Sequence, residues 1–359
     1  MSQFERANIA KMQGYTSGEQ PQDGRSIKLN TNENPYPPSP HVAAALKAFA
    51  SDQLRVYPQP DARVLRQAIA DHHGISVDSV VVTHAGDEAL RLAVTTFVAP
   101  GDVVASTEPT YSLYPVLAQI QDARMFTLDL EDDWSLPNDF ASKVNAAGAK
   151  LTCVVNPHAP SGHLNNIPTL KGLAEKLEGV LLVDEAYADF VDVDEPSSMA
   201  ALVTEHENLL VLRTFSKGYS LAGLRLGYLL GDPSLIRPVL EKTRDSYNVD
   251  AISQAIGLAA IEDQAYARQT WASVRRDREI LADCLAALGF DVTASQANFV
   301  LAQTPRDVSA LHLYQALKEA GILVRYFNTP RLQDSLRITV GTPEQNRHLL
   351  DQLTHLIGD

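Results

Sequence analysis

Residues 214–228 read Thr-Phe-Ser-Lys-Gly-Tyr-Ser-Leu-Ala-Gly-Leu-Arg-Leu-Gly-Tyr, a run of small and apolar residues around Lys217 and Arg225. An amine attacks a carbonyl only when it is unprotonated, so a lysine in such surroundings suits Schiff-base chemistry. Thr214, Ser216 and Arg225 add two hydroxyls and a guanidinium fork, which are groups that hold a phosphate. Together these residues indicate a pyridoxal-phosphate site with Lys217 as its catalytic residue.

The run T-F-S-K-G-Y-S-L-A-G followed by L-R-L-G-Y resembles the cofactor-lysine signature of the class II aminotransferases. The resemblance implies an α/β chain with the fold of the fold-type-I pyridoxal-phosphate enzymes. That fold has a mostly parallel sheet in a large domain and a small α+β domain. A lysine taken alone is more often a solvated surface charge. The cofactor interpretation of Lys217 therefore requires that the remaining motifs agree with it.

Composition narrows the function classes. The chain has 359 residues, a formal net charge of -14 and a pI near 5.1. An acidic chain of this kind predicts no nucleic-acid partner and no anionic membrane partner. The two cysteines show no metal-type pair, and the start lacks a secretory pattern, so we expect no metal and a cytoplasmic location.

Apolar strands alternate with helical patterns through most of the chain, which predicts a mostly parallel sheet covered on both faces. Residues 1–40 are rich in Gly, Pro, Asn and Gln and predict an extended N-terminal arm. We expect the large cofactor-binding domain to span 41–245 and the small domain 246–359. The small domain is predicted to contain strands at 298–302, 322–326 and 336–340 and helices at 308–320 and 343–357.

A phosphate site is predicted where the strand at 79–83 meets the helix that follows it. Gly86 and Asp87 lie at the start of that helix, where free backbone N–H groups and the helix dipole favour an anion. The commoner use of such a glycine is an ordinary strand-to-helix turn. Beside Lys217, the anion site is the better interpretation.

Three further residues match family positions that contact the cofactor ring. In the D-E-A-Y motif, Asp184 would face the pyridine nitrogen and Tyr187 the phenolic oxygen, while Tyr111 would stack on the ring. Taken without the lysine signature, Asp184 is better explained as a helix N-cap and Tyr111 as a core aromatic. The signature favours the cofactor roles.

Residues 156–162, Asn-Pro-His-Ala-Pro-Ser-Gly, depart from the family pattern. Most relatives read N-P-[ST]-G, with the asparagine bonding the phenolic oxygen, but Ala159 precedes Pro160 here and cannot donate that bond. Asn156 or His158 could replace it, or Tyr187 could serve alone. We also expect a cis bond at Ala159–Pro160.

The remaining motifs are similar to those of the histidinol-phosphate aminotransferases. Tyr57 matches a tyrosine that reaches the cofactor phosphate of the other subunit, which implies a homodimer with shared active sites; a packed loop aromatic is an equal alternative. Tyr15 and Asn32 lie in arm segments that cover the active site in the family. Arg325 and Arg337 lie on neighbouring strands and suit bidentate binding of a carboxylate or phosphate.

The resemblance therefore implies an aminotransferase that exchanges the amino group of L-histidinol phosphate with 2-oxoglutarate. Two alternatives use the same scaffold: an aromatic amino-acid aminotransferase and a lyase of the threonine-phosphate decarboxylase kind. Fold does not choose among them. A cofactor-binding regulator would need a basic DNA-binding segment, which this acidic chain lacks.

Overall fold

A computed structural model describes residues 3–21, 24, 26–192 and 197–358 of the chain. The strands are β1 (Ile27–Lys28), β2 (Val80–Thr83), β3 (Val103–Glu108), β4 (Arg124–Asp129), β5 (Ala149–Val155), β6 (Val180–Asp184), β7 (Leu209–Thr214), β8 (Gly227–Gly231), β9 (Asp291–Val292), β10 (Phe299–Gln303), β11 (Ile322–Leu323), β12 (Arg325–Tyr326) and β13 (Ser335–Thr339). The helices are α1 (Ala7–Lys11), α2 (Pro40–Ala48), α3 (Arg63–His73), α4 (Ala85–Phe97), α5 (Leu113–Ile120), α6 (Phe140–Ala146), α7 (Ile167–Lys176), α8 (Pro233–Pro238), α9 (Ala251–Glu262), α10 (Gln264–Ala287), α11 (Ala310–Glu319) and α12 (Pro343–Gly358).

Seven strands form the main sheet in the order β2-β8-β7-β6-β5-β3-β4. All neighbours are parallel except β8, which is antiparallel to both β2 and β7. Successive residues of each central strand pack into the two hydrophobic cores on opposite faces of the sheet. In β7, Leu209 and Val211 pack into one core while Leu210 and Leu212 pack into the other. Burial on both faces explains why these strands read as continuous apolar runs.

Strand β8 starts later than the sequence predicts. Residues 224–230, Leu-Arg-Leu-Gly-Tyr-Leu-Leu, predict a strand, but residues 222–224 form a 3-10 turn and Arg225 adopts a left-handed conformation with φ 58°. The strand therefore begins at Gly227. Because of this turn, Arg225 is not part of the strand. Its side chain lies at the start of α4, where it contacts Asp87.

A second sheet of four strands, in the order β12-β13-β10-β9, lies in the C-terminal part of the chain. The predicted strands at 298–302 and 336–340 match β10 and β13, and β9 is an addition. The predicted strand at 322–326 is divided: β11 pairs with β1 in a separate sheet, and only β12 belongs to this one. Helix α9 packs against α2 and α3, whereas α10 contacts β9, β10 and α12. The predicted division at 245/246 stays a prediction.

The N-terminal arm is more structured than its composition predicts. It contains the short helix α1, and β1 pairs in parallel with β11 of the C-terminal part. Arg6 and Asn8 donate hydrogen bonds to carbonyls at the end of α5. The arm thus connects both parts of the molecule.

Within residues 3–21, 24, 26–192 and 197–358, none of the helices has both the length and the apolar character needed to cross a bilayer. The same ranges hold no group of three His, Cys, Asp or Glu side chains placed to bind a metal ion.

Candidate active site

The candidate site lies at one edge of the main sheet, where several strands end. Strands β5, β6 and β7 are parallel neighbours and end at Val155, Asp184 and Thr214. Strand β2 runs in the same direction, because it is separated from β7 by the antiparallel β8. Helix α4 therefore begins at this edge too, with Gly86 in its first turn. Open α/β sheets bind their ligands outside this edge.

Lys217 lies in the turn between β7 and β8, with its amine inside the protein. Its Nζ donates a hydrogen bond of 2.7 Å to the carbonyl oxygen of Thr31. Burial lowers the pKa of Lys217 to about 8, against the opposing charge of Glu33. A fraction of this amine is therefore unprotonated near neutral pH, as attack on a carbonyl requires.

The arm supplies two neighbours of Lys217 to which sequence analysis gave no role. Glu33 pairs with Lys28 in a short contact and accepts a hydrogen bond of 2.5 Å from the Thr31 hydroxyl. Thr31 itself accepts from Lys217 through its main chain. The available signal was the Asn-Glu-Asn-Pro stretch at residues 32–35, but spacing along the chain does not show that it meets a lysine almost two hundred residues later.

Asp184 ends β6 and is 5% exposed. Its carboxylate accepts hydrogen bonds from the Tyr114 hydroxyl at 2.9 Å and from the Ala186 N–H at 3.1 Å. Burial raises the pKa of Asp184 to about 6, and these two hydrogen bonds act in the opposite direction. The group remains mostly ionised at pH 7, so it can stabilise a protonated ring nitrogen. Sequence analysis assigned no role to Tyr114, whose hydroxyl orients this carboxylate.

Tyr187 and Asn32 meet beside Lys217. Asn32 Nδ2 donates to the Tyr187 hydroxyl at 3.0 Å, and the Lys217 amine lies 5.8 Å from the centre of the Tyr187 ring. Asn32 is itself fixed, because its N–H donates to the Thr339 hydroxyl, which in turn donates to its side-chain oxygen. The Tyr187 ring therefore lies near the Lys217 amine, and its bond to the phenolic oxygen of a cofactor stays a prediction.

The predicted phosphate-binding groups are brought together. The Ser216 N–H donates to the Thr214 hydroxyl at 3.0 Å, and Arg225 lies 3.5 Å from the Ser216 hydroxyl. Arg225 also bonds the Asp87 carboxylate at 2.9 Å. Gly86 packs at the same helix start, where an added Cβ would lie 3.2 Å from Leu212. Because the guanidinium already binds a carboxylate here, an anion suits this position.

Besides Tyr187, three tyrosines were predicted to contribute to the site, and the structure places them in two groups. Tyr111 donates to Asp87 at 3.3 Å, and its ring lies edge-on to that of Tyr15 with centroids 5.9 Å apart. These two therefore flank the site. Tyr57 stands apart: it is 80% exposed and stacks on Tyr247 with centroids 4.6 Å apart.

Residues 156–162 are held by their own hydrogen bonds. Asn156 accepts from the Asn165 N–H at 2.8 Å and donates to the Asn165 carbonyl at 3.1 Å. His158 uses both ring nitrogens, one with Ser161 at 2.7 Å and one with the Pro109 carbonyl at 2.9 Å. These bonds leave His158 no ring nitrogen for a cofactor oxygen, whereas Asn156 keeps one amide N–H. The bond at Ala159–Pro160 is cis, as predicted.

Arg325 and Arg337 are directly opposite each other on the antiparallel strands β12 and β13. Arg337 Nη2 donates to the Asn30 carbonyl at 2.9 Å, while its buried Nε has no hydrogen-bond partner among the described residues. Burial lowers the pKa of Arg337, and the Arg325 charge adds to this effect. A buried guanidinium N–H without a partner, beside a second cation, is suited to an anionic ligand.

The residues of the site fit both the ring and the phosphate of pyridoxal phosphate. The lysine has a lowered pKa, a buried carboxylate stands where a ring nitrogen could meet it, and hydroxyls with an arginine form an anion site. The fit rests on this set of donors and charges.

Comparison with known proteins agrees with the geometry. The sequence profile described as "Aminotransferase class I and II" matches residues 25–353. The chain belongs to this family. It is 44% identical to "Histidinol-phosphate aminotransferase 1" of Nostoc sp., over 99% of each chain.

Two solved structures share the fold. One is the histidinol-phosphate aminotransferase of Sinorhizobium meliloti, solved in complex with pyridoxal-5'-phosphate; it has a TM-score of 0.90 and 24% identity, and covers 100% of this chain and 98% of that one. The other is L-threonine-O-3-phosphate decarboxylase of Porphyromonas gingivalis, with a TM-score of 0.80 and 20% identity over 93% of this chain and 100% of that one. These likenesses establish the fold.

The predicted resemblance to histidinol-phosphate aminotransferases and the predicted fold-type-I α/β architecture are confirmed. The prediction of a pyridoxal-phosphate-dependent transferase agrees with family membership. The roles of individual site residues stay predictions, and they are carried forward below.

Proposed function

We propose that this enzyme transfers an amino group from L-histidinol phosphate to 2-oxoglutarate, a step of histidine biosynthesis, using pyridoxal phosphate held by Lys217. One observation carries the substrate choice. Arg337 presents a buried, unpartnered Nε beside Arg325, so the substrate cleft is built for an anion. Histidinol phosphate has no carboxylate, and its phosphate takes the position that a carboxylate of 2-oxoglutarate occupies in the second half-reaction.

Each cofactor-facing residue has a defined task. Bound pyridoxal phosphate supplies an electron sink for the negative charge left when a proton departs from the substrate. Asp184 stays ionised and holds the ring nitrogen in its protonated form, while Tyr187 bonds the phenolic oxygen. Thr214, Ser216 and Arg225 hold the phosphate together with the N-terminus of α4, which includes Gly86.

Lys217 performs the proton transfer. Its Nζ is positioned by the Thr31 carbonyl and is unprotonated in increasing proportion as the pH rises toward 8. In that state it takes the proton from the amino-bearing carbon of the donor. Tyr111 would lie against the cofactor ring, with the Tyr15 ring packed edge-on beside it.

The proposal includes a homodimer. Tyr57 is 80% exposed and stacks on Tyr247, so it can contact a neighbouring subunit and reach the cofactor phosphate there. An exposed tyrosine with a fixed ring is suited to an interface, since little side-chain freedom is lost on binding. The cytoplasmic location stays a prediction.

A panel of amino donors tests the substrate assignment. Histidinol phosphate should be used with a kcat/KM at least about 30-fold above that of histidinol, because the phosphate contacts are worth about 2 kcal/mol. Equal use of histidinol or phenylalanine would support the aromatic amino-acid aminotransferase instead. Release of carbon dioxide from a phosphorylated amino acid, without consumption of a keto acid, would support the decarboxylase-like lyase, whose scaffold is shared.

A further inference from the structure

A buried ion cluster lies behind the Lys217 turn, outside the set of residues that face the cofactor. Arg213 bonds Glu185 at 3.2 Å and Asp189 in a shorter contact. All three are almost completely buried, with 6%, 1% and 8% exposure. Buried charges are costly unless they are paired and hydrogen-bonded, so a cluster with one cation and two carboxylates is maintained only by well-fixed geometry.

The Asp189 carboxylate supports the turn directly. A Cβ added at Gly218 would lie 2.0 Å from Asp189 Oδ2, so the backbone next to Lys217 rests against this carboxylate. On its other side, the Gly218 carbonyl accepts from Trp271 Nε1 at 2.7 Å and from Asn34 at 3.2 Å. The peptide after the catalytic lysine is thereby confined from both sides.

The Glu185 carboxylate supports the opposite end of the site. Glu185 follows Asp184 in the chain and accepts hydrogen bonds from the Ser198 hydroxyl and the Met199 N–H, both at 2.6 Å. Its own N–H donates to the carbonyl of Leu212, one residue before Arg213. Glu185 therefore fixes the backbone that carries Asp184.

We propose that Arg213 is a positioning residue that sets the placement of Lys217 relative to Asp184 by bridging Asp189 and Glu185. The rigid plane of guanidinium donors holds two carboxylates in a fixed relation, whereas the three donors of an ammonium rotate and fix no plane. The inference rests on the proposed function, in which Lys217 and Asp184 hold opposite ends of one cofactor ring. A small displacement of either would turn the ring within the site.

The test compares Arg213→Met with Arg66→Met in the full-length enzyme. Arg66 is a matched control: it is 1% exposed, pairs with Asp61 at 2.8 Å and bonds two main-chain carbonyls away from the site. Three quantities are measured: the free energy of unfolding of the apoenzyme, the dissociation constant of pyridoxal phosphate, and the visible circular dichroism per bound cofactor. The last reports the orientation of the ring in its asymmetric surroundings.

Both substitutions should destabilise the protein. Only Arg213→Met should weaken cofactor binding, and only this variant should change the circular dichroism per bound cofactor. The loss of affinity should be on the order of tenfold, the size found for residues that orient metal ligands. Arg213→Lys should recover the stability lost in Arg213→Met but not the wild-type circular dichroism, since lysine restores the charge without the planar guanidinium. Equal behaviour of Arg213→Met and Arg66→Met in the cofactor measurements would overturn the proposal.

If Arg213→Met does not fold, Asp189→Asn gives the same test. This change keeps the side-chain shape and removes one charge next to Gly218. It should alter the circular dichroism in the same direction, and a folded variant with the wild-type signal would refute the bridging role. Failure of the wild-type enzyme to bind pyridoxal phosphate at all would instead overturn the proposed function.

Discussion

The Lys217 amine sets the pH dependence of cofactor attachment. Its folded-state pKa is about 8, below the ordinary lysine value, because burial disfavours the charged form. Attachment needs the neutral amine, so the rate of pyridoxal-phosphate incorporation into apoenzyme should rise about tenfold per pH unit below 8 and level off above it. Stopped-flow absorbance at a series of pH values measures this rate.

Glu33 provides a matched control for that experiment. Its charge raises the pKa of Lys217, so Glu33→Gln should shift the midpoint of the rate profile to lower pH. The freed Lys28 ammonium acts in the same direction, because it is also a nearby cation. A midpoint near 10.4, the value of an exposed lysine, would contradict the buried-amine interpretation.

At this scale, the sequence predicts the position of a residue where that position follows from its neighbours in the chain. Lys217 and Asp184 follow or end apolar strands, and their local motifs placed them correctly at the sheet edge. It could not assign Thr31 or Glu33, because their relation to Lys217 arises only when the arm folds over the sheet. His158 was a chemically reasonable candidate, but the local bonds that occupy both its nitrogens depend on loop geometry.

Arg337 should contribute to both half-reactions. Arg337→Met should raise the apparent dissociation constants of histidinol phosphate and 2-oxoglutarate by roughly 30-fold each, since a lost charge-assisted contact costs about 2 kcal/mol. Single-turnover kinetics of each half-reaction measures this. Arg347→Met, on the exposed side of α12, is the control and should behave like the wild type. A loss confined to one substrate would contradict a shared anion site.

At the scale of elements, one loop contact joins the C-terminal part to the main sheet. Arg331 lies over the Trp134 ring at 4.0 Å and donates to the carbonyls of Leu130 and Glu131. Arg331→Ala should lower the free energy of unfolding of the apoenzyme by about 1–3 kcal/mol, from the lost cation–π contact and hydrogen bonds. Denaturant unfolding measures the change.

The exposed Arg306 provides the control for this loop, and Arg306→Ala should stay within about 0.5 kcal/mol of the wild type. Equal stability of the Arg331 and Arg306 variants would show that the loop contact contributes nothing. Trp134 also stacks on His158, with ring centroids 6.1 Å apart. The Arg331–Trp134 contact therefore also supports the loop at residues 156–162, in which Ala159 stands where the family has an asparagine.

Helices and strands were predictable where the spacing of apolar residues in the sequence matches the burial of those residues in the structure. The buried strands β6 and β7 and the C-terminal helix–strand alternation emerged from apolar runs of the expected lengths. The start of β8 was not predictable, because residue types do not show the left-handed backbone of Arg225, which delays the strand to Gly227. Helix α1 is held by hydrogen bonds to the end of α5, a tertiary effect that the Gly-, Pro-, Asn- and Gln-rich composition of the arm does not reveal.

At the scale of the whole molecule, the proposed dimer should share its sites. Lys217→Ala and Tyr57→Ala homodimers should each be impaired, but a mixed dimer regains one complete site, because each subunit supplies the residue that the other lacks. Activity of the refolded mixture measures this, with subunit exchange verified by differently tagged chains. The two variants refolded separately are the control. No recovery despite confirmed exchange would indicate that Tyr57 acts only within its own loop.

The central claim is that one lysine of the whole chain carries the cofactor. Borohydride reduction of the native holoenzyme, followed by peptide mass spectrometry over all lysines, tests it most directly. We expect the reduced pyridoxyl group on the peptide containing Lys217, and Lys217→Ala should remain folded, unlabelled and without turnover. Labelling of a different lysine in the native enzyme, or an unlabelled Lys217 in enzyme that is saturated with pyridoxal phosphate, would contradict the account.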